Sequence, residues 1–355
     1  MRAGIIGLQS VGKTTIFNVL SRGKGASGPA GVRRQEANVG VVKVPDARLD
    51  FLASIFSPEK TTYATVEFVD VPALTRGRGQ DMVLAPLRTV DLLIHVVRVF
   101  EDESVPHPEG SVDPERDKRN LDFELILADI ASIEKRMERL EKDLKKQKTP
   151  ALLKEHAFLE RAKPWLESEK ALRDFAMDDE EKRLVKGFAF LSEKPMLYVE
   201  NIGEDQLDRL KKSPASDIVH GKTETTIICG KLEAEMAELP PDELKVFLSD
   251  YGLTESGSER LIRTTYHLLG LIVFFTVGEE ECRAWTITRG TNAQHAAGAI
   301  HTDLQDHFIR AEVCHYEDFV KYKSHPALRE KGLLRLEGKE YVVLDGDIME
   351  IRHSG

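Results

Sequence analysis

Residues 7–14 read Gly-Leu-Gln-Ser-Val-Gly-Lys-Thr, a full G-x-x-x-x-G-K-[ST] pattern, directly behind the apolar run Ala3, Gly4, Ile5 and Ile6. A glycine-rich turn between a buried strand and a helix aims successive backbone N–H groups at one point, and the helix N-terminus adds its partial positive charge there. Such a nest binds the phosphates of a nucleotide. Gly7, Gln9, Ser10, Val11, Gly12, Lys13, Thr14 and Thr15 are the expected phosphate contacts. Lys13 reaches the β- and γ-phosphates and so also serves catalysis, while Thr14 offers its hydroxyl to Mg2+. Gly7 and Gly12 let the backbone come close where a Cβ would collide.

The metal needs a second protein group. Asp70 ends the apolar run 65–71, where P-loop NTPases hold Mg2+ through water. A lone Asp at a strand end is otherwise a helix cap or turn residue. Asn201-Ile202-Gly203-Glu204 closes a later apolar run, where GTPases carry N-K-x-D. In that motif the Asp accepts hydrogen bonds from N1–H and the 2-amino group of guanine. Here Glu204 carries its carboxylate one methylene further out, and Ile202 replaces the Lys that packs over the base. A site built for two donors discriminates strongly, and a displaced acceptor forfeits that discrimination. Adenine has no N1–H, and the Asn201 amide can accept from its 6-amino group. ATP is therefore expected over GTP, with guanine recognition by Glu204 as the alternative.

These residues need a scaffold of strands and helices. Apolar, β-rich segments recur at 38–44, 65–71, 91–100, 195–201 and 225–229, with helical or loop stretches between them. That alternation implies an α/β domain with a mostly parallel sheet covered on both faces. Residues 22–36, rich in Gly, Ser and Arg, read as a mobile loop beside the phosphates. From Asn120 the pattern changes to a heptad seam of Ile126, Ile130, Ile133, Met137, Leu140 and Leu144. A break at 146–151 containing Pro150 precedes a second helix with Leu152, Leu159 and Leu166. An inserted antiparallel helical hairpin follows from this. The last segment has short strands at 271–276, 283–288 and 340–344 and one helix at 293–304, a small β-grasp-type domain. The expected domains are 1–118 and 193–270 for the nucleotide domain, 119–192 for the hairpin and 271–355 for the C-terminal domain.

Composition narrows the function classes. The 355 residues carry a formal net charge of −10, which argues against a protein that coats nucleic acid; no DNA partner is expected. There is no run of 18 apolar residues and no signal-peptide pattern, so a cytoplasmic protein without membrane contact is expected. Cys229, Cys282 and Cys314 are too few and too scattered for a disulfide framework or a zinc site. No G-x-G-x-x-G follows a strand, which weighs against dinucleotide redox chemistry.

With these motifs in hand, the chain resembles the YchF/Obg-like ATPases of the TRAFAC P-loop class. The likeness rests on residues 7–14, 38–50, 65–70, 95–102, 109–114 and 201–204, and continues through 231–235, 283–287, 297–303, 308–313 and 336–341. It implies a Ras-like P-loop NTPase domain with an inserted hairpin and a C-terminal TGS domain. It also implies slow ATP hydrolysis with Mg2+ and association with the ribosome, through its RNA or proteins; a monomer is expected. Phe100, Gly230, Lys231 and Leu232 match positions near the base, beside Asn201, Ile202 and Glu204. His107 matches a loop histidine implied to position water, although a lone loop His is more often exposed polar surface.

Several positions depart from the family pattern. Where the first switch normally reads T-I-E-P-N, this chain has Arg34, Gln35, Glu36, Ala37 and Asn38, without the hydroxyl that senses the γ-phosphate. The family's D-x-A-G becomes Asp70, Val71, Pro72 and Ala73, and the second switch is shortened around 76–79. Leu74 stands where Ras-like enzymes carry the Gln that orients water, a replacement shared with the family. Unassisted small GTPases turn over on the order of 10⁻⁴ s⁻¹, so slow hydrolysis is expected. A nucleotide-sensing module with little or no hydrolysis is the alternative of a different class.

Overall fold

Each of the six apolar runs around the phosphate loop becomes a strand. These are β1 (Arg2–Ile6), β2 (Asn38–Lys43) and, after a short β3 (Lys60–Thr62), β4 (Thr65–Asp70), β5 (Leu92–Arg98), β6 (Met196–Asn201) and β7 (Thr223–Ile228). The computed structural model describes residues 1–21, 38–72, 84–212 and 221–354. Its chain divides into two compact units, Met1–Val41 with Glu67–Leu268, and Val42–Val66 with Leu269–Gly355.

The sheet of the first unit runs β2-β4-β1-β5-β6-β7. Pairing from β4 through β7 is parallel throughout. All seven residues of β5 are buried, as a strand covered on both faces requires. Parallel strands place their carboxyl ends along one edge, and in open α/β sheets ligands bind there. The phosphate loop leaves β1 at that edge and enters α1 (Lys13–Ser21). In the second unit α2 (Ala47–Phe56) starts at Asp46, which caps it by accepting from the Arg48 N–H.

The hairpin is built from α3 (Pro114–Lys146) and α4 (Pro150–Glu167). Asp113 accepts from the Arg116 N–H, and Pro114 fills the first turn, where its missing N–H is not needed. Thr149 and Pro150 repeat this device for α4, so Pro150 starts the second helix instead of lying in the break. Three residues connect the helices, which forces them antiparallel. Leu121 and Leu125 of α3 pack with Ile6, Leu93 and Met196 on the sheet. Further along, Ile126, Ile133 and Leu140 pack against Phe158, Leu159 and Leu166.

Asp129 ties this helix to the strand system. Its fully buried carboxylate accepts from the N–H groups of Leu191 and Ser192 at 2.9 and 2.7 Å and from the Ser192 hydroxyl at 2.7 Å. Burial pushes its pKa up, and those hydrogen bonds oppose the shift. Asp129→Ala would leave three buried donors without an acceptor. We expect a loss of about 3 kcal/mol or more, seen as a lower denaturation midpoint; an unchanged midpoint would contradict this anchoring role.

Beyond β7 the first unit adds α5 (Gly230–Met236) and α6 (Gly257–Leu268). Glu233 of α5, buried, accepts from the Gly257 and Ser258 N–H groups at 2.6 and 3.0 Å and so holds the start of α6.

The second unit has its own sheet. To β3 it adds β8 (Leu271–Thr276), β9 (Glu281–Thr288), β10 (Phe308–His315), β11 (Arg335–Glu337) and β12 (Asp347–His353), in the order β11-β10-β12-β8-β9-β3. Phe274, Ile287, Val313 and Met349 lie in its core, with α7 (Ala293–Ile300) packed over them through Ala293, Ala296 and Ala297. Three sequence expectations are corrected here. Residues 340–344 are no strand; Val342 makes only an isolated bridge to Asn292. The helix expected over 293–304 is interrupted at His301, whose extended backbone separates α7 from α8 (Thr302–Asp306). Residues 42–66, expected within the nucleotide domain, have their contacts in this unit: β3 pairs in parallel with β9, and Arg48 bridges to Asp345 at 2.9 Å.

Candidate functional site

Four carboxyl ends of the parallel sheet converge on the phosphate loop. The loop itself demands unusual backbone: Gly7 and Gly12 have φ of +149° and +94°, and Ser10 has +63°. A Cβ on Gly7 would stand 2.6 Å from the Val96 carbonyl oxygen, and one on Gly12 would strike the Asn201 amide. Lys13 folds back over the loop and donates to the carbonyls of Gly7 and Leu8 at 3.1 and 2.7 Å. Burial pulls its pKa down to about 8, against the opposing pull of Asp70. Asp70, at the end of β4, is shifted upward by burial, while Lys13 and a hydrogen bond from Asn38 oppose the shift. Thr14 and Thr15 are exposed in the first turn of α1.

Asn201 behaves differently from the expectation. It is buried, and its amide is used on both sides: Nδ2 donates to the Val11 carbonyl and Oδ1 accepts from the Gly230 N–H, each at 2.9 Å. The side chain therefore clamps the loop to the start of α5. A second lone pair on Oδ1 remains beyond these two bonds.

A cleft of about 920 Å³ runs from Gly12 and Thr15 past Phe100, Asn201, Ile202, Gly203 and Glu204 to Cys229, Gly230 and Lys231. This volume suits a small-molecule ligand. Most of the expected base-side residues line it. Leu232 does not; it is buried beside Ile202, Cys229 and Met236. Lys231 donates to the Glu204 carboxylate. Burial raises the Cys229 thiol pKa, which keeps it protonated.

The sequence reading missed Arg98. Its buried guanidinium donates to the carbonyls of Phe100, Val105 and Asp102 at 3.0, 2.9 and 3.2 Å, and lies 4.4 Å from the centre of the Phe100 ring. It thus fixes the turn that carries Phe100, Glu101 and Asp102 to the cleft. An arginine closing a largely apolar strand was the signal available. Arg98→Met should lower nucleotide affinity about tenfold, since three carbonyls of the turn lose their shared donor; calorimetry that finds wild-type affinity would dismiss the role.

His107 is not the exposed loop histidine of the sequence reading. Its Nδ1 accepts from the Glu109 N–H at 3.2 Å, and its Nε2 faces Asp117 Oδ2 at 3.1 Å, both side chains nearly inaccessible. It does not line the cleft. This geometry fixes the 107–113 loop to the first turn of α3. Residues 34–37, Ala73, Leu74 and 76–79 lie outside the described residues. Asn38, Val71 and Pro72 are described.

Among the described residues no group of three or more His, Cys, Asp or Glu forms a metal cage. Mg2+ does not need one, because it keeps several waters and takes one or two protein ligands beside the phosphates. The exposed Thr14 hydroxyl and the Asp70 carboxylate fit that demand. No helix among the described residues is long and apolar enough to cross a membrane.

A parallel sheet, a phosphate loop with its lysine and a cleft beyond it define a P-loop nucleoside triphosphatase domain of the GTPase-like α/β type. A family described as 50S ribosome-binding GTPase matches residues 2–156, and the family of YchF GTPase C-terminal regions, described as a protein of unknown function, matches residues 271–354. Proteins named ribosome-binding ATPase YchF are similar along the whole chain. The one from Bacillus subtilis is 39% identical, covering 100% of this chain and 99% of its own; that from Haemophilus ducreyi is 40% identical, covering 99% of each. The structure of the Schizosaccharomyces pombe YchF GTPase superposes with a TM-score of 0.85 at 30% identity, over 99% of this chain and 97% of that one. The chain belongs to the YchF family.

Proposed function

We propose that this protein is a slow, Mg2+-dependent ATPase that works on the ribosome as a nucleotide-controlled switch. The observation that carries the reading is the cleft that starts at Gly12 and Thr15 and ends between Phe100, Glu204 and Lys231, with Lys13 poised at the loop. ATP as ligand and the ribosome as partner are supported by the name that the full-length relatives carry. Lys13 and the loop amides hold the phosphates, with Thr14 directly and Asp70 through water as the metal's protein partners. The metal, when bound, neutralises phosphate charge. The base lies against Phe100, Ile202 and Gly230. Leu74 offers no hydrogen bond to an attacking water, so turnover waits on a partner. The hairpin of 119–192 and the TGS-type domain of 271–355 supply the surfaces for ribosomal RNA or protein.

The test is calorimetric titration with non-hydrolysable ATP and GTP analogues in Mg2+, followed by single-turnover hydrolysis with and without ribosomes. Tighter ATP binding and ribosome-stimulated hydrolysis are expected. Tighter GTP binding would make this chain a GTPase, and unchanged nucleotide in both assays would make it a binding module.

A further inference from the structure

We infer that Lys231 sets the base preference of the cleft by occupying the Glu204 carboxylate. The inference rests on the nucleotide-binding reading above and names the residue that controls its selectivity. Guanine presents an acceptor, O6, beside two donors, N1–H and the 2-amino group; adenine presents one donor and one acceptor. A guanine site must therefore offer a donor for O6 and a free carboxylate for the two N–H groups. The cleft has committed both. The Gly230 N–H already donates to Asn201 Oδ1 at 2.9 Å, and Asn201 Nδ2 already donates to the Val11 carbonyl at 2.9 Å.

The carboxylate is committed to a lysine. Lys231 is the one basic side chain among the described residues lining the cleft, which also carries Glu101, Asp102, Glu204, Asp205, Glu235 and Glu238. Its ammonium donates to Glu204 Oε2, and this hydrogen bond raises the lysine pKa. Guanine has to displace Lys231 to reach Glu204, and doing so breaks this ion pair. Adenine, lacking N1–H and the 2-amino group, loses nothing when the carboxylate is taken. Selectivity here comes from hiding an acceptor as much as from offering contacts.

The pair is exposed, 67% for Lys231 and 46% for Glu204, which bounds its effect and makes the substitution safe for folding. An exposed ion pair corresponds to about a three- to fivefold change in affinity. Full-length wild type, Lys231→Met and Lys231→Arg are titrated with non-hydrolysable ATP and GTP analogues in Mg2+, at low and high salt, with Lys13→Ala as the control for loop binding. Lys231→Met should shift the GTP to ATP affinity ratio toward GTP by about three- to fivefold, while Lys231→Arg, which keeps the pair, should keep the wild-type ratio. Raising salt should move the wild-type GTP to ATP ratio toward that of Lys231→Met and leave the variant's ratio fixed. An identical ratio in wild type and Lys231→Met overturns the inference and leaves the nucleotide site standing. Wild type that binds neither nucleotide, or Lys13→Ala that binds both as well as wild type, overturns the nucleotide reading itself.

Discussion

Lys13→Ala should reduce ATP affinity by about a hundredfold or more, because a charge-assisted contact to two phosphates disappears from a partly desolvated site. The free protein already holds this lysine in the loop, where it donates to the Gly7 and Leu8 carbonyls. The substitution removes a buried charge together with those two contacts, so the fold should tolerate the change. Titration of both proteins with the non-hydrolysable ATP analogue, alongside their melting curves, separates the outcomes. A variant that melts like wild type but binds ATP as tightly would remove the phosphate assignment.

The same lysine makes binding pH-dependent. Burial holds its pKa at about 8 in the folded, free chain, against about 10.4 when unfolded. Between those values the unfolded chain binds more protons, so the contribution of this group to stability rises with pH across that window. Below pH 8 both states are protonated and the cost of burying the charge is present in full. Nucleotide phosphates restore the proton. At pH 9, ATP binding should take up most of one proton, and none through Lys13 at pH 7; calorimetry in buffers of different ionisation enthalpy measures it. Absence of uptake at pH 9 would mean that Lys13 is already charged in the free site.

Residues close in sequence and bound to one another by a fixed spacing were legible. The loop at 7–14 is such a motif, and its strand, its helix and the glycines with positive φ follow from it. The six strands of the first sheet and the hairpin were also legible, because apolar runs and heptads state their own geometry. What escaped depended on partners brought together by the fold. His107 looked isolated until α3 placed Asp117 against it. Residues 42–66 read as part of the nucleotide domain because nothing local reveals that Lys60 pairs with Glu281. In β10, the charged Arg310 and Glu312 interrupt the apolar pattern, and the register with β12 is what buries Ala311 and Val313.

Asn201 shows the same lesson with the larger consequence, since its side chain joins Val11, 190 positions away in sequence, to Gly230. Asn201→Ala should cost about 2–4 kcal/mol, because it leaves a buried carbonyl and a buried N–H unpaired. The loss should appear as a lower melting temperature in the absence of any nucleotide. ATP affinity should fall by about tenfold or more as well, since the loop is no longer held at the angle that aims its amides. Asn201→Asp separates the two arms of the clamp. It keeps an acceptor for the Gly230 N–H but sets a carboxylate against the Val11 carbonyl, so the loop arm alone is lost. If Asn201 only read the base, both variants would weaken ATP and leave the nucleotide-free protein as stable as wild type. The clamp requires the free protein to be destabilised, with Asp retaining the α5 contact and still losing affinity through the loop.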